Sequence, residues 1–369
     1  MRINAWNTAL GECEAQAAYD AIMSRHLSEG EIVRELENKI ADFLGVKHII
    51  CVPNGSSALL LAMMGIGIQP KDEVIIPDFT FIATGHAPKL LGGNVILADV
   101  QKDRPLIDID KVMELITPRT KAVVPVDLNG RKVDISRLKK ELKGTGIYIV
   151  EDSCQAFASG GKGNYAGNQA DIACYSFAVT KLMTTAQGGF VSTDSDELYE
   201  RMKLLKMQGM NNIFESDVYT LAGFNLKYTD ILASVGLVQF ERLPEKLSNT
   251  KRNYKMYCDT FSQLNVFSMI PTEDDEVVYT PDVLCEDSKA VRRYLEGFDI
   301  QIRPAGGCLH KASYFSAPQR CKNAKWFEEH LLYMPGGPDQ PVENIRFVTD
   351  KLKSGKFQHR MEGKFNGHE

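Results

Sequence analysis

"DIACYSFAVTKLMTTAQGGFVSTD" (171–194) holds two short apolar runs separated by one lysine among small and polar residues. Each run has the length and the β-branched and aromatic content of a buried strand, and Gly188-Gly189 marks the start of the second. Lys181 lies five residues beyond Ser176, the end of the first run, with no acid near it in sequence. On its own it is either a solvated charge or an amine placed to react.

Working outward, five more apolar runs precede this pair: "HIICVPN" (48–54), "DEVIIPD" (72–78), "NVILADV" (94–100), "KAVVPVDL" (121–128) and "IYIVEDS" (147–153). Helical stretches such as "SSALLLAMMGIG" and "DISRLKKELK" separate most of them. Strands that are apolar throughout and alternate with helices predict an α/β fold with one seven-stranded, mostly parallel sheet covered on both faces. Upstream, "SEGEIVRELENKIADFLGV" (28–46) predicts an amphipathic helix opened by a capping box of Ser28 and Glu31 and stopped at Gly45. After the sheet, "SVGLVQFERLPEKLSNTKRNYKMYCDTFSQL" predicts one long helix, bent at Pro244, leaving the large domain. A smaller C-terminal α/β unit follows, with "EVVYTPDVL", "SKAVRRYLEGF", "DIQIRP" and "PVENIRFVTDKL". The expected domains are 1–245 with an N-terminal arm and 246–369, ending in a frayed tail.

The chain has 369 residues, 44% hydrophobic and 25% charged, with a net charge of −5, which is ample for a sizeable core. Lysines and arginines are spread along it and form no basic stripe, so nucleic acid is not an expected partner. The greasiest run, "ALLLAMMGIGI" (58–68), is too short to span a bilayer. No signal-peptide core opens the sequence, and the eight cysteines form no Cys-x-x-Cys. These features predict reduced thiols and a cytoplasmic protein that binds no membrane. Seven scattered histidines suggest no metal site.

In open α/β sheets ligands sit beyond the carboxyl ends of the strands, and several candidates fall there. "CVPNGSSALLL" puts Gly55, Ser56 and Ser57 at a strand-to-helix turn, which suits either a phosphate or a plain helix cap. "YIVEDSCQA" ends a strand with Glu151 and Asp152, with Gln155 following. A carboxylate leaving a buried strand needs a partner, which an arginine or a helix cap would also supply. A phosphate cradle, a strand-end acid and a later lysine are together what pyridoxal phosphate requires: an amine for its aldehyde, an acid for its ring nitrogen and donors for its phosphate. Phe79 and Phe81 in "PDFTFIAT" are the aromatic candidates to cover the ring. "SGGKGNYAGN" contains a loose Gly-x-Gly-x-x-Ala that opens no helix and reads as a loop.

Taken in order, "NGSSALLLAMMGIGIQPKDEVIIPDFTFIAT", "DIDKVMELITPRTKAVVPVDLNG", "IVEDSCQA", "DIACYSFAVTKLMTTAQGGFVSTD", "LKMQGM", "GFNLKYTDILASVGLVQFERL" and "IRPAGGCLHKASYF" resemble the DegT/DnrJ/EryC1/StrS sugar aminotransferases, which have the fold-type-I pyridoxal phosphate architecture. The resemblance implies Lys181 as the Schiff-base lysine, Asp152 as partner of the ring nitrogen, and Phe81 rather than Phe79 as the stacking aromatic. It implies Gln155 near the ring hydroxyl, Ser56, Ser57 and Ser176 at the phosphate, and Asn225 reaching the phosphate of a neighbouring subunit in a homodimer. It further implies transfer of an amino group from L-glutamate to a keto-sugar carried on a nucleotide diphosphate. Relatives that dehydrate sugars carry histidine at the position of Lys181, so the lysine points to transamination. Arg303 and His310 match a stretch that closes over the site. Arg303 is either a clamp for a carboxylate or diphosphate, or an exposed arginine on a turn.

The chain departs from the family pattern at Ala178 and Asp127, where histidines are common, at Gln187 for glutamate and at Lys227 for arginine. These departures leave the sugar pocket open, and Asp127 suggests an unusual substrate polarity. The "GFN" block looks like the perosamine-type, 4-amino-sugar branch. The substrate is then expected to be a 4-keto-6-deoxy sugar nucleotide. The alternatives are a 3-keto sugar, a cyclitol, or a catalytically silent homologue.

Overall fold

A computed structural model describes residues 2–210, 219–315, 321–354 and 357. Apart from Phe357, the tail from residue 355 lies outside the described residues. All seven expected strands form: β1 (His48–Val52), β2 (Glu73–Pro77), β3 (Asn94–Ala98), β4 (Thr120–Val123), β5 (Tyr148–Asp152), β6 (Ile172–Ser176) and β7 (Gly189–Thr193). They make one sheet in the order β1-β7-β6-β5-β4-β2-β3. β7 runs antiparallel to both neighbours, and the other pairs are parallel. The segment between β6 and β7 contains no helix, so the chain turns back beside β6 instead of crossing over the sheet.

Successive side chains feed opposite faces. Val74 and Ile76 join Leu61, Met63 and Val150 on one side, while Ile75 joins Val123, Leu138 and Ile149 on the other. With helices over both faces, the loops at the carboxyl ends of β1, β2, β4, β5 and β6 are where a ligand can reach the sheet.

Two local expectations are corrected. The helix Glu31–Leu44 is capped by Gly30 rather than Ser28, and no capping box forms there. Asp230, from the helix Asp230–Glu241, accepts the Gly30 and Val33 amides at 2.9 and 3.1 Å and takes over the capping. The C-terminal stop at Gly45 is left-handed as expected, with φ 72°. The expected single long helix is two, Asp230–Glu241 and Leu243–Phe261, parted at Arg242, with Pro244 in the first turn of the second, where it costs no hydrogen bond.

Beyond this break, β8 (Asp282–Leu284), β9 (Arg303–Pro304) and β10 (Leu331–Tyr333) form an antiparallel sheet in the order β8-β10-β9. We propose the domain boundary at the start of Leu243–Phe261. The N-terminal arm joins the C-terminal unit: Ile3 bridges Ile300 and sits in its core, and Trp6 bridges Gly336. Among the described residues no helix is long and apolar enough to cross a membrane.

The two units are joined by a buried polar knot. Arg131 and Asp282, both almost wholly buried, form a two-pronged ion pair at 2.6 and 2.9 Å. Asn129 donates to Asp282 and to the Thr280 carbonyl, each at 2.8 Å, and accepts the Thr280 amide at 3.1 Å. Asn129 is itself left-handed, with φ 54°, and a side chain on Gly130, at φ 84°, would overlap the Val277 carbonyl.

Asp127 does not line the substrate space, which corrects the expectation of a substrate contact. It is buried behind β5, accepting the Val133 amide at 3.0 Å and the Ser153 hydroxyl at 2.7 Å. Burial pushes its carboxyl up, and likewise pushes up that of neighbouring Glu151, to which the Asp127 charge adds. Glu151 accepts the Gly167 amide through one oxygen, and a side-chain hydrogen bond that needs a proton on one of the two acids joins it to Asp127. Two raised acids favour the folded state while protonated, so their contribution is full below the ordinary carboxylate range of about 4 and is lost as pH rises through their folded values. Asp127→Asn is expected to make stability fall less steeply on the alkaline side, since Glu151 then faces no second charge. Urea midpoints measured from pH 6 to 9 check this, and an unchanged slope would refute it.

Candidate active site

The strand-end loops surround a cleft of about 950 Å³, near the top of the range of roughly 300–1,000 Å³ for small-molecule sites. At its floor, the turn after β1 begins the helix Gly55–Gly65. Its cap is Asn54, whose side chain accepts the Ser57 amide at 2.8 Å, so the serines are left free of capping. Gly55 sits close to β6: a Cβ there would lie 2.9 Å from the Cys154 sulfur and 3.0 Å from the Ser176 Cβ. Only a glycine lets this helix N-terminus approach Ser176, and together they make a compact anion cradle. Ser56 and Ser176 line the cleft; Ser57 does not.

Asp152 emerges from β5 at the cleft, only 4% exposed. The Thr84 hydroxyl donates to it at 2.7 Å and the Cys154 amide at 3.2 Å, which fixes the carboxylate plane. Thr84 lies 68 residues away in sequence, and nothing in its own stretch marked it. Gln155 also lines the cleft, with its Oε1 accepting the Asn129 amide at 3.0 Å, so the polar knot around Asp282 extends to the site.

Both candidate phenylalanines line the cleft, and they differ in exposure. Phe79 is 1% exposed and packs on Phe327, whereas Phe81 is 64% exposed at the cleft wall. Lys181 is half-buried on the loop after β6, with its amine in the cleft. Its Nζ lies 3.4 Å from the Tyr279 hydroxyl, and among the described residues it has no ion pair. Ala178, Gln187 and Arg303 line the same space. Trp6 and Tyr279, both missed in the sequence, also line it. They come from the N-terminal arm and from the approach to β8, so no local pattern could have shown them.

Two candidates lie elsewhere. His310 turns away from the cleft and binds Asp78, with Nδ1 at 2.6 Å from one carboxylate oxygen and its backbone amide at 2.8 Å from the other. The scattered histidines suggested no metal motif, yet the fold brings Asp78, Cys308 and His310 within 4.8 Å of one another. The acid and the imidazole there are already bonded to each other. Asn225 is exposed beside Phe224, its side chain accepting the Lys227 amide at 3.3 Å, and does not reach the cleft of its own chain.

The residues present fit pyridoxal phosphate. The glycine-built helix terminus with Ser56 and Ser176 accommodates a phosphate, the buried Asp152 suits a ring nitrogen, Phe81 offers an uncovered aromatic face, and Lys181 supplies an amine with no carboxylate to hold its proton.

Comparison with known proteins agrees with this geometry. The chain is 36% identical over 237 residues to GDP-perosamine synthase of Caulobacter vibrioides, an alignment covering 64% of each chain. It is 30% identical to GDP-perosamine synthase of Escherichia coli O157:H7, covering 88% of this chain and 90% of that one. Among solved structures, the aminotransferase TlmJ from Streptoalloteichus hindustanus superposes with a TM-score of 0.91 at 26% identity, over 95% of this chain and 98% of the other. Residues 8–353 match one family throughout, and the chain belongs to it: the DegT/DnrJ/EryC1/StrS aminotransferase family.

Proposed function

We propose that this aminotransferase moves the amino group of L-glutamate onto a nucleotide-linked keto-sugar of the 4-keto-6-deoxy type, in amino-sugar and polysaccharide biosynthesis. The observation that carries the reading is the convergence of Lys181 and Asp152 on one cleft, from strands that neighbour each other in the sheet. The silent-homologue alternative is disfavoured because Lys181, Asp152 and Ser176 are all present and gathered there.

Bound pyridoxal phosphate supplies an electron sink for negative charge developing on the substrate carbon beside its nitrogen. The chain's own residues do the rest. Ser56, Ser176 and the helix N-terminus at Gly55 bind the phosphate. Asp152, oriented by Thr84, would keep a proton on the ring nitrogen, Gln155 would meet the ring hydroxyl and Phe81 would cover one face. Lys181 would take up and return a proton at the donor or acceptor carbon, which an amine does well once it is neutral. Arg303, exposed at the outer rim, is placed for a carboxylate or diphosphate.

We assign the working unit as a homodimer. Tyr19, Ile22, Met23 and Leu27, in and just after the helix Glu12–Met23, and Phe224, next to Asn225 in sequence, are large apolar side chains left 47–60% exposed. A second copy of the chain would cover these side chains and bring Asn225 to the cradle that its own chain's Asn225 does not reach. GDP-perosamine synthases among the relatives support the 4-keto-6-deoxy substrate, and Ala178 leaves the cleft wider than a histidine would.

Two experiments test this reading. Nitrogen-15 from labelled L-glutamate should appear in the product with a GDP-linked 4-keto-6-deoxyhexose, and much less with a 3-keto sugar nucleotide or a keto-cyclitol. Transfer confined to either of the latter would overturn the substrate assignment. Borohydride reduction of the cofactor-loaded protein should fix the cofactor on the peptide containing Lys181, and Lys181→Ala should lose at least about 100-fold in kcat. Label on a different lysine would contradict the role given to Lys181.

A further inference from the structure

The amine of Lys181 has one polar partner among the described residues, and it is a neutral one. The Tyr279 hydroxyl lies 3.4 Å from Nζ, at the long end of hydrogen-bond range, and the same amine stands 5.6 Å from the centre of the Tyr279 ring. Tyr279 is buried and held from several directions. The Trp6 indole packs edge-on against its ring, with centroids 5.6 Å apart and planes at 75°. Next to it, Thr280 is clamped by Asn129 through both backbone groups.

Trp6 also holds the loop that carries Lys181. Its Nε1 donates to the Val179 carbonyl at 2.9 Å, and the Thr8 hydroxyl donates to the same oxygen at 2.6 Å. One N-terminal arm therefore fixes both the tyrosine and the lysine loop, and the distance between them is set by a shared support.

We propose that Tyr279, supported by Trp6, is a positioning residue for Lys181: its hydroxyl oxygen accepts an N–H of the free amine and leaves the nitrogen lone pair directed into the cleft. This rests on the reading of Lys181 as the reactive lysine. A carboxylate in this place would hold the lysine as an ammonium and oppose its use as a base. A hydroxyl orients the amine while carrying no charge to pin the proton. Binding through an N–H also leaves free the lone pair that proton transfer needs.

The test uses the full-length protein. Lysines of the cofactor-free form are pulse-labelled by reductive methylation from pH 6 to 10 and quantified peptide by peptide, in wild type, Tyr279→Phe and Trp6→Phe. Loss of the oxygen that orients the amine should lower the labelling rate of Lys181 at pH 10 about 3-fold or more, with other lysines unmoved. Trp6→Phe, which keeps a ring edge but loses the bond to Val179, should shift it the same way by less, and it carries the test if Tyr279→Phe does not fold. In the loaded enzyme Tyr279→Phe should lower kcat about 10- to 100-fold with the KM for L-glutamate within about 3-fold. An unchanged Lys181 labelling rate in the variants that fold overturns the proposal. If borohydride fixes the cofactor on Lys181 while Tyr279→Phe is silent, only the role of Tyr279 falls. If the cofactor is fixed on another lysine, both readings fall.

Discussion

The ion pair between Arg131 and Asp282 is the contact on which the site depends. Two charges with almost no exposure are tolerated only because the pairing is complete: both carboxylate oxygens meet the guanidinium, and Asn129 supplies a further donor. The partners come from the loop after β4 and from the first residue of β8, so the knot fixes one unit of the chain against the other. Its reach is longer than the pair itself. Through the Asn129 amide it holds Gln155, through Thr280 it sets the place of Tyr279, and the same loop passes Asp127 behind β5. A cleft assembled from five strand ends, the N-terminal arm and three segments of the C-terminal part needs such a fixed point, because the proton transfers proposed there tolerate little misplacement.

Charge placement follows from burial. Asp152 keeps a hydroxyl and an amide as its partners, and among the described residues no arginine pairs with it, so its carboxylate is available to a ring nitrogen. Behind it, Asp127 and Glu151 are pushed toward the protonated state, which keeps their charges from competing with Asp152 for the ring. Lys181 meets only a neutral hydroxyl among the described residues. The acid and the amine therefore face the cleft instead of neutralising each other across it.

The large sheet was legible because its strands are buried on both faces and so are written as continuous apolar runs, from "HIICVPN" to "GGFVSTD". The residues at strand ends, Asp152, Ser176 and the Gly55-Ser56 turn, were legible for the same reason, since the end of a strand is visible. Choices that depend on packing were less visible. Phe81 was preferred to Phe79 through the family resemblance, and the physical difference, exposure against burial, appears only in the fold. The expected cap at Ser28 yielded to Asp230, some 200 residues away, and the long helix broke at Arg242 where a bend at Pro244 was expected. Asp127 and His310 were read as facing substrate because a polar residue in a site-bearing stretch carries no mark of which way it points. Trp6 and Tyr279 were absent from the sequence reading because each reaches the site from a distant segment, and Thr84, in the same stretch as Phe81, because its bond to Asp152 is made only by the fold.

The decisive measurement is the visible absorption of the protein reconstituted with pyridoxal phosphate, taken before and after L-glutamate is added. We expect a yellow band that bleaches with L-glutamate and returns when a 4-keto-6-deoxy sugar nucleotide follows. A reconstituted protein with no visible band, or one whose band is the same in Lys181→Ala, would mean that Lys181 is not the amine around which this site is built.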